Sequence, residues 1–279
     1  MEKILCPTDF TPISQIAIDY GLELSKSLNA RLVLFHSVPQ SEPKRHMPVG
    51  GVPFMEPIPD PEERSQREMQ LRLAKEKLFS YSQNLPHVES ELQVGDINST
   101  LPQAALEMEA DFIVLAHEGL EIVFPGSVTS RIIGSVPCPV LIVPPHTAFR
   151  PLAQIVYATD LKSDSFTNIG FVIQLAAVYN AQVQFLHVLP EDAPDARTAA
   201  EAELRLICKR SVYPNLSYHI ETGKKVEEII HHFCTAQKAD LLVMGSRNNN
   251  FWQLFFQSKT QDIASHAFVP LVVLPYKKQ

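Results

Sequence analysis

The sequence predicts two α/β domains in tandem, each a doubly wound parallel sheet with helices on both faces. Three observations predict it: an internal repeat, short continuous apolar runs of strand length, and amphipathic helical patterns between those runs. Residues 3–39 read KILCPTDFTPISQIAIDYGLELSKSLNARLVLFHSVP, and residues 154–190 read QIVYATDLKSDSFTNIGFVIQLAAVYNAQVQFLHVLP. The two align without a gap at a constant offset of 151. Thr8–Asp9 meets Thr159–Asp160, Asn29–Ala30 meets Asn180–Ala181, and His36 meets His187. Further on, FIVLAH at 112–117 answers LLVMGS at 241–246, and PVLIVP at 139–144 answers PLVVLP at 270–275. A repeat of this length marks two copies of one folding unit. Residues 145–152 carry two prolines and no periodicity and read as the linker. The expected domains are therefore 1–145 and 152–279.

The apolar runs place the strands. In the first half they fall at about 3–8, 31–37, 89–94, 112–117 and 139–143, and in the second at about 154–159, 182–188, 216–221, 240–245 and 270–274. Runs that are apolar throughout, without alternation, belong to strands covered on both faces, as in a parallel sheet. Helical stripes separate them. Ile16, Tyr20, Leu24 and Leu28 recur at i, i+4 behind the first strand, and Val226, Ile229, Ile230, Phe233 and Cys234 form an apolar face in the second half. Strand–helix–strand alternation implies right-handed crossovers. The halves differ most after their second strands. There the first half inserts a stretch with seven prolines between 39 and 61, followed by a polar helix near 60–84. The insertion reads as a surface excursion. Its Met47, Val49, Phe54 and Met55 suit either a packed loop or an arm over a partner.

The chain has 279 residues, 45% hydrophobic and 20% charged, which is ordinary for a globular protein and argues against disorder. A net charge of −7 and a pI near 5.8 argue against nucleic acid or an anionic membrane as the main partner. The N-terminus has no apolar signal region, and no stretch approaches the roughly 18–20 apolar residues of a membrane span. Cys6, Cys138, Cys208 and Cys234 form no C-x-x-C pair; Cys6 and Cys138 sit in apolar runs as small buried hydrophobes. A cytoplasmic location is expected.

The chemistry of an open α/β sheet lies at the carboxyl ends of its strands. The first strand ends in Cys6-Pro7-Thr8-Asp9 and its repeat in Tyr157-Ala158-Thr159-Asp160. The aspartates can accept hydrogen bonds from a ribose or an adenine, or cap the following helix, and the two roles are compatible. After the fourth strand come Ala116, Gly119 and the run Gly126-Ser127-Val128-Thr129. A helix opening there presents free amides to a phosphate, or is a plain Ser-capped helix. His36 and His187 read as hydrogen-bonded structural residues, and His231–His232 as exposed surface. Phe251, Trp252, Phe255 and Phe256 form an aromatic cluster suited to packing. No metal-binding motif, nucleophile–base pair or Walker lysine is visible.

The PTD at the first strand, the His at the end of the second, the glycines after the fourth and GSVTSRIIGSVPCPVLIVP together resemble the universal stress protein family, twice over, as a tandem member. The resemblance implies a five-stranded parallel sheet in the order 3-2-1-4-5 and pairing through fifth strands, here within one chain, with a homodimer of tandem chains also open. It implies ATP or a related adenine nucleotide, with magnesium only alongside it. Carried over from the ATP-binding members, Pro7, Thr8, Asp9 and the Ser37 backbone would meet base and sugar. Ala116, Gly119, Gly126, Ser127, Val128 and Thr129 would meet phosphates. Asp160, Val188, Gly245 and Ser258 are the second-half candidates. Three departures stand out. Ala116 replaces the first motif glycine, and six residues rather than nine separate Gly119 from Gly126. In the second half Asn248 and Gln257 stand where glycines belong, with Lys259 nearby as a compensating charge. The expected function is regulatory binding in a stress response, with slow ATP hydrolysis at most. The alternative is an interaction protein of the same fold with degenerate sites.

Overall fold

The computed structural model describes residues 1–40, 61–83, 85, 87–116, 128–161, 166–191, 193–245 and 269–275. In chain order the elements are β1 (Lys3–Pro7), α1 (Pro12–Leu28), β2 (Arg31–Val38), α2 (Pro61–Ser82), β3 (Val88–Val94), α3 (Ile97–Glu107), β4 (Phe112–Ala116), α4 (Val128–Ser135) and β5 (Val140–Val143), followed by β6 (Gln154–Ala158), α5 (Phe166–Tyr179), β7 (Gln182–Leu189), α6 (Pro194–Arg210), β8 (Leu216–Thr222), α7 (Val226–Gln237), β9 (Leu241–Gly245) and β10 (Leu271–Leu274). The apolar runs of the sequence coincide with these strands to within a residue or two.

All ten strands join one sheet in the order β3-β2-β1-β4-β5-β10-β9-β6-β7-β8. Within the first half the order is 3-2-1-4-5 and every neighbouring pair is parallel. The second half repeats that order, again parallel, counted inward from β8. The halves meet where β5 and β10 pair antiparallel, with Leu271, Val272 and Val273 opposite Ile142, Leu141 and Val140. The strands of the two halves therefore point opposite ways, and their carboxyl ends lie on opposite edges of the sheet.

The apolar runs of the inner strands are continuous because helices cover both faces, whereas the edge strands β3 (VESELQV) and β8 (LSYHIET) are more polar and only partly covered. Alternate residues of each strand enter different layers: Ile4 and Cys6 one, Leu5 the other; Phe112 and Val114 one, Ile113 and Leu115 the other. Each layer runs through both halves, so the β5–β10 junction is packed above and below like the rest of the sheet. Helix α1 buries Ala17, Ile18, Tyr20, Gly21, Leu24 and Ser25. The stripe expected at 16, 20, 24 and 28 is thus right in its middle and off at its ends. A strict four-residue step drifts around a helix of 3.6 residues per turn, and Ile16 and Leu28 rotate to the rim.

The repeat extends to individual bonds. Asn29, the C-cap of α1, and Asn180 after α5 take left-handed φ of 50° and 53°, which asparagine tolerates better than most residues. The Asp111 carboxylate accepts from the amides of Glu2 and Lys3, and that of Asp240 from Ala153 and Gln154. Helix α2 buries little beyond Ala74 and Leu78, which is why its sequence reads polar; Tyr81 ties it to α1 by donating to Gln15 Oε1 at 2.6 Å. The insertion residues Met47, Val49, Phe54 and Met55 lie outside the described residues. No helix among the described residues is long and apolar enough to cross a membrane.

Candidate functional site

The carboxyl edge of the first half holds a cleft of about 360 Å³. It sits where strand order reverses between β1 and β4, the usual ligand position in such sheets. Its floor is Pro7 at the end of β1 with Thr8 and Asp9 after it, His36 and Ser37 of β2, and Leu115 and Ala116 of β4. Its rim is made by the starts of three helices: Thr11 and Ser14 at α1, Asp96 and Ile97 at α3, Val128 and Thr129 at α4. These starts turn positive dipole ends toward one space; at α1 and α3 the caps Thr11 and Asp96 already take the Ser14 and Asn98 amides.

The β1–α1 turn is held by short local bonds. Thr8 donates its amide to Phe35 O at 2.8 Å, extending the ladder one residue past the strand. Phe10 follows in the left-handed region at φ 64°, its amide donating to Thr8 Oγ1 at 3.0 Å. Asp9 is not the cap of α1. The cap is Thr11, whose hydroxyl accepts from the Ser14 amide, while Asp9 Oδ1 accepts from the Thr11 amide at 3.0 Å and hydroxyl at 2.6 Å. Partial burial pushes the Asp9 carboxyl up, but bonds from Thr11 and Ser14 outweigh it and hold the group below its usual range. Asp9 is thus an anion fixed in place by the turn and still exposed to a ligand. His36 Nδ1 lies 2.7 Å from Thr8 O, so that nitrogen carries the proton and the ring braces the turn. The Phe10 ring packs on it at 4.5 Å, with Lys77 Nζ 5.0 Å from the Phe10 centroid.

The second half rebuilds the same turn. Thr159 donates to Leu186 O at 2.9 Å, Leu161 takes φ 61° with its amide on Thr159 Oγ1 at 2.9 Å, and His187 Nδ1 lies 2.8 Å from Thr159 O. Asp160 is exposed beside it, Val188 occupies the position of Ser37, and Gly245 ends β9.

Residues 1–144 and 152–275 each match the model of the universal stress protein family. The chain belongs to the universal stress protein family. Among solved structures, a universal stress protein from Archaeoglobus fulgidus DSM 4304 is similar over 99% of this chain and 97% of its own, at 16% identity and a TM-score of 0.69. A functionally unknown protein from Pseudomonas aeruginosa PAO1 covers 99% and 93%, at 16% identity and a TM-score of 0.52. A universal stress protein from Archaeoglobus fulgidus solved in complex with dAMP aligns with 46% of this chain and 100% of its own, at 19% identity and a TM-score of 0.35. No curated protein matches the sequence.

For this universal stress protein, the structure gathers Pro7, Thr8, Asp9, Ser37, Ala116, Val128 and Thr129 around one cleft. Gly119, Gly126, Ser127 and Ser258 lie outside the described residues, as do Asn248, Gln257, Lys259 and the aromatic cluster at 251–256. His232 is exposed and His231 half-buried. The three cysteines in the core offer no nucleophile: burial pushes the thiols of Cys6, Cys138 and Cys234 up to about 12. Among the described residues no cluster of His, Cys, Asp and Glu is placed to hold a metal ion.

Sequence reasoning missed the β3–α3 turn. Gly95 adopts φ 149°, and a Cβ there would meet Thr100 Cγ2 at 2.7 Å. Its amide donates to Val38 O, and its carbonyl accepts from Ser37 Oγ at 2.6 Å. Asp96 caps α3 by accepting from the Asn98 amide at 2.7 Å. A signal was present: a glycine followed by a capping residue, straight after the third strand and ahead of a helix.

Proposed function

We propose that the first half of this universal stress protein holds an adenine nucleotide, ATP or a relative, and that the protein acts as a cytoplasmic regulatory binder in a stress response. The observation that carries this reading is the convergence of seven residues from four separate segments on one cleft at the strand-order reversal, under three helix starts. The residues fit the ligand. Asp9 is a fixed acceptor for sugar or base hydroxyl and amino groups, Gly95 lines the cleft beside Ser37, and the first turn of α4 offers amides and the Thr129 hydroxyl to a phosphate. Magnesium would enter only with the phosphates. Slow ATP hydrolysis at most is expected of the cleft.

The second half is proposed to be poor for triphosphates. Val188 removes the hydroxyl that Ser37 supplies, and Asn248 and Gln257 put side chains where the family has glycine. We further propose domain limits of 1–145 and 152–279, with the β5–β10 pairing taking the part that a homodimer plays in single-domain relatives, so that a second chain is not needed.

The test is mass spectrometry of nucleotide released from protein purified without added ligand, followed by calorimetry on wild type, Asp9→Ala and Asp160→Ala. One adenine nucleotide per chain is expected. Asp9→Ala should weaken binding about tenfold or more, the scale of a lost bond to a charged group, and Asp160→Ala should leave it unchanged. Equal affinity in wild type and Asp9→Ala, or two equivalent sites, would overturn the reading.

A further inference from the structure

A second cleft, of about 210 Å³, lies at the junction of the halves, under the linker that joins them. It is separate from the first-half cleft and is built on the linker, which occurs once in the chain. Linker residues Phe149 and Leu152 anchor it: Leu152 is buried, and the Phe149 ring stacks edge-on to Tyr20 at 5.1 Å and lies 6.4 Å from Tyr179. Between the end of β5 and this anchor, His146 is held at φ 59°, and His146, Thr147 and Arg150 line the cleft. A histidine in the left-handed region costs backbone energy that the surrounding packing must hold.

The opposite wall is Tyr20 and Asp240. Tyr20 is only 3% exposed, yet its hydroxyl makes no hydrogen bond among the described residues, and it is not among the polar atoms sealed from solvent without a partner. A buried tyrosine normally finds a partner for its hydroxyl. Here the group opens into the cleft. The residue at the same place in the repeat is Phe171, packed against Phe112 at 5.3 Å. The fold thus accepts a plain ring at this position, and the hydroxyl is an addition of the half that faces the linker. Asp240 spends Oδ2 on the amides of Ala153 and Gln154. Arg150 makes no ion pair among the described residues.

We propose that this cleft binds a small zwitterion, a free α-amino acid, with its carboxylate on Arg150 and its ammonium between Asp240 and the Tyr20 hydroxyl. The wall chemistry selects for it. A simple anion would face the Asp240 carboxylate, and a simple cation would face Arg150, whereas a molecule with opposite charges a few ångströms apart satisfies both and gives the Tyr20 oxygen a donor. The volume suits a few heavy atoms and is too small for a nucleotide. Because the cleft is walled by Tyr20 of the first half, Asp240 of the second and the linker, occupancy ties the linker to both halves.

The experiment is saturation-transfer NMR titration of the full chain with glycine, L-alanine, L-serine and L-glutamate, and with acetate and methylammonium as half-ligand probes. At least one amino acid should bind saturably, and each half-ligand at least tenfold more weakly. Tyr20→Phe should weaken the amino acid at least fivefold and Arg150→Gln at least tenfold, with circular dichroism showing both variants folded. Arg150 is exposed, so that variant keeps the test intact even if Tyr20→Phe disturbs the core. No saturable binding by any of the four amino acids overturns the proposal. So does acetate binding as tightly as the best amino acid, which marks a plain anion site, or affinity unchanged in both variants.

Discussion

Asp9 shows how one side chain can serve the fold and a ligand together. Its Oδ1 atom holds Thr11, and Thr11 caps α1. Since its folded carboxyl titrates below the ordinary value, the ionised form contributes stability above the unfolded pKa of about 3.9, and that contribution is lost as pH falls through the folded pKa. Asp9→Asn keeps the acceptor and removes the titration. Urea denaturation should show wild type ahead at pH 7 by about 1 kcal/mol or less, since the group is exposed and screened. The gap should close as pH drops below the ordinary carboxylate range; a gap that stays constant with pH would show that the charge is not what matters. Near by, Phe10 and Leu161 both sit at positive φ, a costly conformation for bulky residues that recurs at the same turn in both halves.

At the scale of elements, the β3–α3 turn sets the shape of the cleft. Gly95 is required there for two separate reasons, its φ and the 2.7 Å approach to Thr100 Cγ2, and a double-mutant cycle separates them. Gly95→Ala should cost roughly 2–3 kcal/mol, part backbone strain and part clash. Thr100→Ser deletes the clashing methyl while leaving the hydroxyl that bonds Ser37 Oγ and Asp96 O. In the double variant about 1 kcal/mol should return, read from denaturation midpoints. Strict additivity of the two changes would mean that the loop moves to make room and the contact carries no strain. Either way the φ cost should persist.

For the whole molecule, the antiparallel β5–β10 contact is the seam of a ten-stranded sheet. Every residue of β5 is buried, so cutting the chain there would expose an apolar strand edge, which is a template for pairing. A fragment of residues 1–145 should therefore run as a dimer by light scattering, with the full chain a monomer. A monomeric fragment would show that the first half covers its own edge and that the seam is dispensable. The opposed strand directions also put the two carboxyl edges far apart, so ligands of the two halves would act independently of direct contact.

Much of this architecture was legible in the residues. The gapless repeat announced two copies, the unbroken apolar runs announced the inner strands covered on both faces, and Thr8–Asp9 with Thr159–Asp160 announced the turn at the mouth of each sheet. These are local signals, set by side-chain period and by residues that favour particular turns, and each survives in isolation from the rest of the chain. Other features belong to tertiary structure alone. Capping of α1 by Thr11 instead of Asp9 depends on which hydroxyl reaches the Ser14 amide. The entry of Gly95 into the cleft depends on β3 lying next to β2, a pairing of residues more than fifty positions apart. In the sequence Tyr20 is one more member of an apolar stripe, and only the tertiary structure places the linker cleft beside it. Period and turn chemistry act over a few residues and can be read along a chain. Which polar group is left facing an open space is a property of how distant segments close around it, and only the packed molecule decides that.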